Sequence, residues 1–160
     1  LLVVLGLVFS LGGDICLMLP DDRFVPGLIS FLIAHLLYGA AFTRGINLSP
    51  TWWALALYLT YGTLMLALLW NYLDSLQIPV LAYMGVILLM GWLALERWLT
   101  LGTTGSLLAA IGAALFVLSD STLALDRCRT RFAAGHAVPL ATYSAAQWLI
   151  GVSVGVSVGM

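Results

Sequence analysis

The chain has 160 residues, of which 62% are hydrophobic and 8% charged, with a formal net charge of −1. A water-soluble domain carries about 25% charged residues, so these few charges cannot cover a soluble surface and most of the chain must have lipid as its solvent. Net charge near zero, with six Arg and no Lys, also excludes the broad basic field that nucleic acid requires.

A helix needs about 20 apolar residues to cross the hydrocarbon. On that ruler the sequence predicts six spans, at about 1–19, 27–43, 51–70, 78–95, 106–125 and 138–159. The expected fold is all-α, a polytopic transmembrane helix bundle forming a single transmembrane domain over 1–160. Pro20, Pro26, Pro50, Pro79 and Pro139 fall at span edges, where no interior helix hydrogen bond is lost. Trp52, Trp53, Trp70, Trp92 and Trp98 lie toward span ends, as an interfacial aromatic belt requires. The chain opens directly on "LLVVLGLVF", without Met or a basic leader, and is expected to begin partway into a larger protein. Cys16 in the first span and Cys128 in the loop after the fifth are expected to be reduced thiols.

Orientation follows from Arg. The loop 126–137 holds Arg127, Arg129 and Arg131. Placing it in the cytoplasm puts four Arg inside, with Arg23, against Arg44 and Arg97 outside, which satisfies the positive-inside rule. The protein is then a multi-pass integral membrane protein, of the inner membrane if the cell is bacterial. At the opposite boundary, Glu96 and Arg97 read as a solvated ion pair. In the tail, Gly151, Gly155 and Gly159 recur every four residues. This small-residue stripe suits close packing inside the bundle, or a homodimer.

Ionisable residues inside a span are costly and are functional candidates by default. Asp14 lies about six residues before the cytoplasmic end of span one, and Asp120 about six before that of span five. At 1.5 Å per residue both are roughly 9 Å deep. His35 on span two is about eight residues in, or roughly 12 Å. Tyr143 and Gln147 on span six fall in the same layer. Residues three and four apart share a helix face, so Gly6, Ser10, Gly13 and Asp14 form one stripe. Ala109, Gly112, Ala113, Phe116 and Asp120 form another, and Phe31, His35, Tyr38 and Phe42 a third. The small residues beside Asp14 are expected to make room for the helix that carries Asp120. Together these groups predict a pocket with polar residues at its base and apolar walls, open toward the cytoplasmic leaflet.

Other chemistries find little support. There is no phosphate-binding glycine loop, no G-x-S-x-G elbow and no H-x-x-x-H pair. A metal on Asp14, Asp120 and His35 is geometrically conceivable, but clustered ligand spacing of the kind zinc uses is missing, and no metal is expected. "LGGD" is loosely like the G-x-G-D of intramembrane aspartyl proteases, but Leu11 stands in place of the first glycine and the second aspartate motif reads "LSD".

The stretch "GDICLMLPDDRFVPGLISFLIAHLLYGAAF" resembles the YhhN family of membrane proteins, whose animal members are lysoplasmalogenases. The family pattern is a Gly-Asp at a span end, then Phe-x-x-Gly, then Phe-x-x-x-His-x-x-Tyr. Here these are Gly13–Asp14, Phe24–Gly27, and Phe31, His35 and Tyr38. "ALFVLSDSTLALDR" resembles the second aspartate motif, with Ser119, Asp120 and Arg127, and "YSAAQWLI" the closing helix, with Tyr143 and Gln147. The family has about eight spans, so its first two, and a Lys-Pro segment within them, have no counterpart here.

The resemblance implies a membrane-embedded hydrolase. It would cleave the vinyl ether of a lysoplasmalogen to a fatty aldehyde and a glycerophospho-ethanolamine or -choline, with a lysophospholipid as partner and no cofactor. Two carboxyl groups suit that reaction. One is protonated and donates to the β-carbon, and the other is ionised, steadies the oxocarbenium ion and activates water. Asp14 and Asp120 are the catalytic candidates. His35 and Tyr38 would orient substrate or water, and Tyr143, Gln147 and Ser119 would complete the binding site. The alternatives are a proton-coupled carrier and a non-catalytic lipid-binding membrane protein.

Overall fold

A computed structural model describes residues 1–19, 23–47, 50–73, 76–128 and 137–158. Among them the fold is all-α, with helices α1 (Leu2–Met18), α2 (Phe24–Phe42), α3 (Trp52–Leu69), α4 (Gln77–Leu101), α5 (Thr104–Cys128) and α6 (Ala137–Val158). A single 3₁₀ turn, Trp70–Tyr72, follows α3. Four of the helices, α2 to α5, are long and apolar enough to cross a membrane. Large apolar side chains cover the outside, including Val8, Ile15, Leu57, Leu64 and Trp148. Contiguous exposed apolar surface on this scale marks contact with lipid. The protein is a multi-pass membrane bundle.

The packing is a ring with one helix outside it. In order round the ring, α1 packs on α2, α2 on α4, α4 on α5, α5 on α6, and α6 back on α1. The remaining helix, α3, lies against α4 and α5. Small residues set the close approaches. A Cβ added at Gly13 would come within 2.6 Å of the Phe31 ring, and one at Gly27 within 3.1 Å of Leu17. At Gly112 it would meet Ala146 O at 3.0 Å and Ile150 Cγ1 at 2.9 Å, which sets the α5–α6 contact. The space left by Gly13 is therefore filled by α2, not by the Asp120 helix as the sequence led us to expect. Stripe periodicity names a face but not the helix that covers it.

Polar ends are tied down at the end of the bundle away from the aspartates. Glu96 is 1% exposed; Thr51 N–H donates to its Oε1 at 2.7 Å and Thr51 Oγ1 to its Oε2 at 3.0 Å. This satisfies backbone at the start of α3, where helix N–H groups lack intrahelical partners. Arg97 Nη1 donates to the carbonyls of Phe42 and Arg44, where α2 ends. The solvated Glu96–Arg97 pair read from sequence is thus replaced by two helix-end caps, because one α4 turn reaches two different loops. In the tail, a Cβ added at Gly151 would sit 3.9 Å from Leu7, and one added at Gly155 would meet nothing from another helix within 4 Å. Gly159, Cys128's side chain and the Arg127, Arg129 and Arg131 side chains lie outside the described residues, as do Asp21, Asp22 and His136. Cys16 is a free thiol.

The core is not uniform along the bundle axis. Val3, Phe42, Met90, Ala94, Ala109, Ala113, Phe116, Ala146 and Ile150 form a dense apolar cluster in the half where α1 begins, α2 ends and α4 ends. The other half is hollow.

Candidate functional site

That hollow is a cavity of about 250 Å³ to which all six helices contribute. Its walls include Leu17, Leu28, Phe31, Met65, Ile87, Leu123 and Leu140. Both Asp14 and Asp120 line it, with Ser119, Ser121, Tyr61, Tyr83 and Tyr143 as the other polar residues. Chain direction explains the convergence. Helices α1, α3 and α5 contribute their C-terminal halves, and α2, α4 and α6 their N-terminal halves, so alternating helices deliver their polar residues at one depth.

Each aspartate is held by a tyrosine from another helix. Tyr143 Oη donates to Asp14 Oδ2 at 2.7 Å, and Tyr83 Oη donates to Asp120 Oδ2. Such bonds satisfy one oxygen of each carboxyl group, and a carboxyl has further acceptor capacity. Behind Asp14 the contacts continue away from the cavity. Gln147 Nε2 donates to Tyr143 Oη at 2.9 Å, Tyr38 Oη donates to Gln147 Oε1 at 2.9 Å, and Ser10 Oγ lies 3.4 Å from Tyr38 Oη. On the α3 side, Tyr61 Oη donates to Ser121 Oγ at 2.7 Å, and that hydroxyl donates to Val117 O.

The residues singled out from sequence therefore separate into two groups. Asp14, Asp120, Tyr143 and Ser119 line the cavity. Tyr38 and Gln147 do not; they stand behind Tyr143, supporting it. His35 does not line it either. It is fully buried among the rings of Phe31, Tyr38, Tyr83 and Phe116, with centroids 4.6 to 6.5 Å away. Neither ring nitrogen has a hydrogen-bond partner among the described residues. It borders a second, smaller space with Leu36, Gly39, Thr43 and Met90. His35 was expected to orient substrate or water, but its position on α2 aims it across the helix interface rather than into the cavity. Among the described residues, no three His, Cys, Asp or Glu side chains group as metal ligands would.

Tyr83 and Tyr61 were missed. The depth count that marked the aspartates also fits them, since Tyr83 is six residues from the start of α4, or roughly 9 Å, and Tyr61 eight from the end of α3. The count took in Tyr143, which shares a face with Gln147, but Tyr61 and Tyr83 sit in apolar runs and read as core.

The sequence profile of the YhhN family matches residues 1–154. The chain belongs to the YhhN family. Its similarity to other members runs nearly end to end. It is 36% identical over 149 residues to "Uncharacterized membrane protein YhhN" of Escherichia coli O6:H1, covering 93% of this chain and 72% of that one. It is 34% identical over 156 residues to "Lysoplasmalogenase TMEM86A" of Bos taurus, covering 94% and 64%. It is 37% identical over 148 residues to "Lysoplasmalogenase TMEM86B" of Homo sapiens, covering 92% and 61%. This YhhN-family chain therefore spans somewhat under two thirds of the animal relatives' length. No solved structure matches it significantly.

Proposed function

We propose that the protein is a hydrolase of lysoplasmalogen-type vinyl ethers, with Asp14 and Asp120 as its acid–base pair. The observation that carries this is the placement of both carboxyl groups, each held by one tyrosine, in the wall of a single apolar cavity. The lysoplasmalogenase names of the animal relatives favour the substrate class.

The reaction needs little beyond that. One carboxyl group delivers its proton to the β-carbon of the C=C–O unit, and the double-bond electrons form the new C–H bond. The adjacent carbon becomes an oxocarbenium centre, which the second carboxyl, ionised, steadies at close range in a low-dielectric wall. Water adds to that carbon and passes its proton to the ionised carboxyl. The hemiacetal then collapses. Its C–O bond to the glycerol breaks, the glycerol oxygen takes the proton back, and the hemiacetal hydroxyl returns its proton to the first carboxyl. Fatty aldehyde and glycerophospho-alcohol leave, and the pair is restored without a cofactor.

Size sets what the cavity holds. Pockets that enclose a drug-sized ligand run from about 300 to 1,000 Å³. At about 250 Å³, this one encloses the vinyl ether segment and leaves the headgroup and much of the acyl-like chain outside, against water and lipid. The Arg distribution supports a cytoplasmic loop 126–137 and a cavity mouth on that face, in the inner membrane of a bacterial host, and the small-residue stripe at Gly155 supports a second copy packing there.

The test is aldehyde release from lysoplasmenylethanolamine by purified protein in lipid. Loss of release in Asp14→Asn and in Asp120→Asn is expected. Full release in either variant would remove the acid–base pair, and none from wild type would remove the substrate class. Proton-driven uptake into vesicles without turnover would identify a carrier instead.

A further inference from the structure

The two tyrosine–aspartate bonds look alike, but their surroundings differ in one respect. The amide of Gln147 has one end that only donates and one that only accepts. Its Oε1 takes the Tyr38 hydroxyl proton at 2.9 Å, and its Nε2 donates to Tyr143 Oη at 2.9 Å. With Gln147 donating to its oxygen, Tyr143 has its own proton directed at Asp14 Oδ2, 2.7 Å away. Because the Tyr38 proton is committed to Gln147, the Ser10–Tyr38 contact at 3.4 Å runs from Ser10. Ser10, Tyr38, Gln147, Tyr143 and Asp14 thus form a one-way series of donors ending on Asp14. Hydrogen bonds in series polarise one another in the same direction, and a donor aimed at a carboxyl oxygen is strongest when that carboxyl is ionised.

Tyr83 carries no such commitment. Among the described residues its hydroxyl makes one side-chain hydrogen bond, to Asp120. It can turn its proton away and accept one from a protonated Asp120 without leaving another group unpaired. For Asp14 to do the same, Tyr143 Oη, which already accepts from Gln147, would have to take a second donor while its own proton turned away, so the contacts around Asp14 favour its ionised form more than those around Asp120 do.

We propose that the Gln147 amide, acting through Tyr143, fixes Asp14 as the ionised carboxylate and leaves Asp120 as the acid that protonates the substrate. Gln147 is a positioning residue, since it does not line the cavity. The assignment of roles rests on the vinyl ether reading; the protonation states themselves do not. Apart from the pair, the titratable groups that line the cavity are Tyr61, Tyr83 and Tyr143, from α3, α4 and α6.

Infrared spectroscopy of the full chain in lipid at neutral pH tests the protonation states without turnover. A protonated-carboxyl C=O stretch is expected in wild type, retained in Asp14→Asn and lost in Asp120→Asn. If an Asn variant does not fold, Asp120→Glu should shift the band and Asp14→Glu should leave it in place. Loss or shift of the band through Asp14 instead, or its absence from wild type, overturns the assignment. Gln147→Leu tests the positioning role. It keeps a similar side-chain volume but neither donates nor accepts, so the Tyr143 proton is no longer directed at Asp14. Aldehyde release should fall about 100-fold in kcat, the scale of one acid–base contribution, with KM within about twofold. Wild-type kcat in this variant would overturn the role of Gln147. Wild type that releases no aldehyde while the band follows Asp120 would defeat the substrate reading and leave the protonation assignment standing.

Discussion

Tyr143→Phe removes one oxygen atom and two hydrogen bonds, one donated across the helix interface to Asp14 at 2.7 Å and one accepted within α6 from Gln147 at 2.9 Å. Tyr83→Phe removes an oxygen at the same depth but a single bond, to Asp120. Interhelical hydrogen bonds inside membranes contribute about 0.6 kcal/mol on average and up to about 1.7 kcal/mol each. Losing the interhelical Asp14 bond together with the Gln147 bond inside α6 therefore costs about 1–3 kcal/mol, and losing the single Tyr83 bond about half that. The phenyl ring of residue 143 keeps its edge contacts with Phe31 and Phe116, at 6.0 and 5.2 Å, so packing stays nearly constant and the difference isolates the hydroxyls. Reversible unfolding in mixed micelles reads it as a shift in midpoint at constant slope. We expect Tyr143→Phe to be the less stable of the two, and Asp14→Asn combined with Tyr143→Phe to cost less than the sum of the singles, because the residues are in contact. Equal stability of the two Phe variants, with additive double variants, would refute the network behind Asp14.

Three further outcomes follow from the packing. Gly13→Val drives a side chain into the Phe31 ring, where a Cβ alone would sit within 2.6 Å; overpacking costs about 1–3 kcal/mol, whereas Gly155→Ala, which meets nothing within 4 Å, should change micelle unfolding by less than about 0.5 kcal/mol. Glu96→Ala strips both acceptors from Thr51 and should cost about 2 kcal/mol or more as a lost helix cap with an orphaned N–H, while Glu96→Gln, which keeps an oxygen for that N–H, should recover most of it in the same assay. His35→Phe replaces two unpaired ring nitrogens with carbon in an aromatic cage and has the adjoining space near Gly39 and Met90 to expand into; stability should be unchanged or higher, and a loss above about 2 kcal/mol would mean that the imidazole has a polar partner.

Much of the candidate site was legible before any fold was known. Asp14 and Asp120 were marked by the cost of a carboxyl in hydrocarbon, and their equal distance from span ends placed them in one layer. That inference needs only the helix rise and the up-down order that short loops impose. Tyr143 came with them for the same reason. Tyr83 obeyed the same count, but a tyrosine in an apolar run reads as core until a partner is seen.

The composition determined the solvent, and with it the secondary structure, because only a helix satisfies its own backbone in lipid. It also determined depth, since rise per residue is a property of one helix. Which helices meet was decided only in the tertiary structure. Small-residue stripes say which face of a helix meets a neighbour but not which neighbour, so nothing local predicts that α2 fills the space at Gly13, that α3 stands outside the ring, or that Glu96 and Arg97 cap two different helices. The direction of the hydrogen bonds behind Asp14 belongs to the same class. It arises from where Tyr38, Gln147 and Tyr143 meet across α2 and α6, residues more than 100 positions apart in the chain, and no reading of either helix alone contains it.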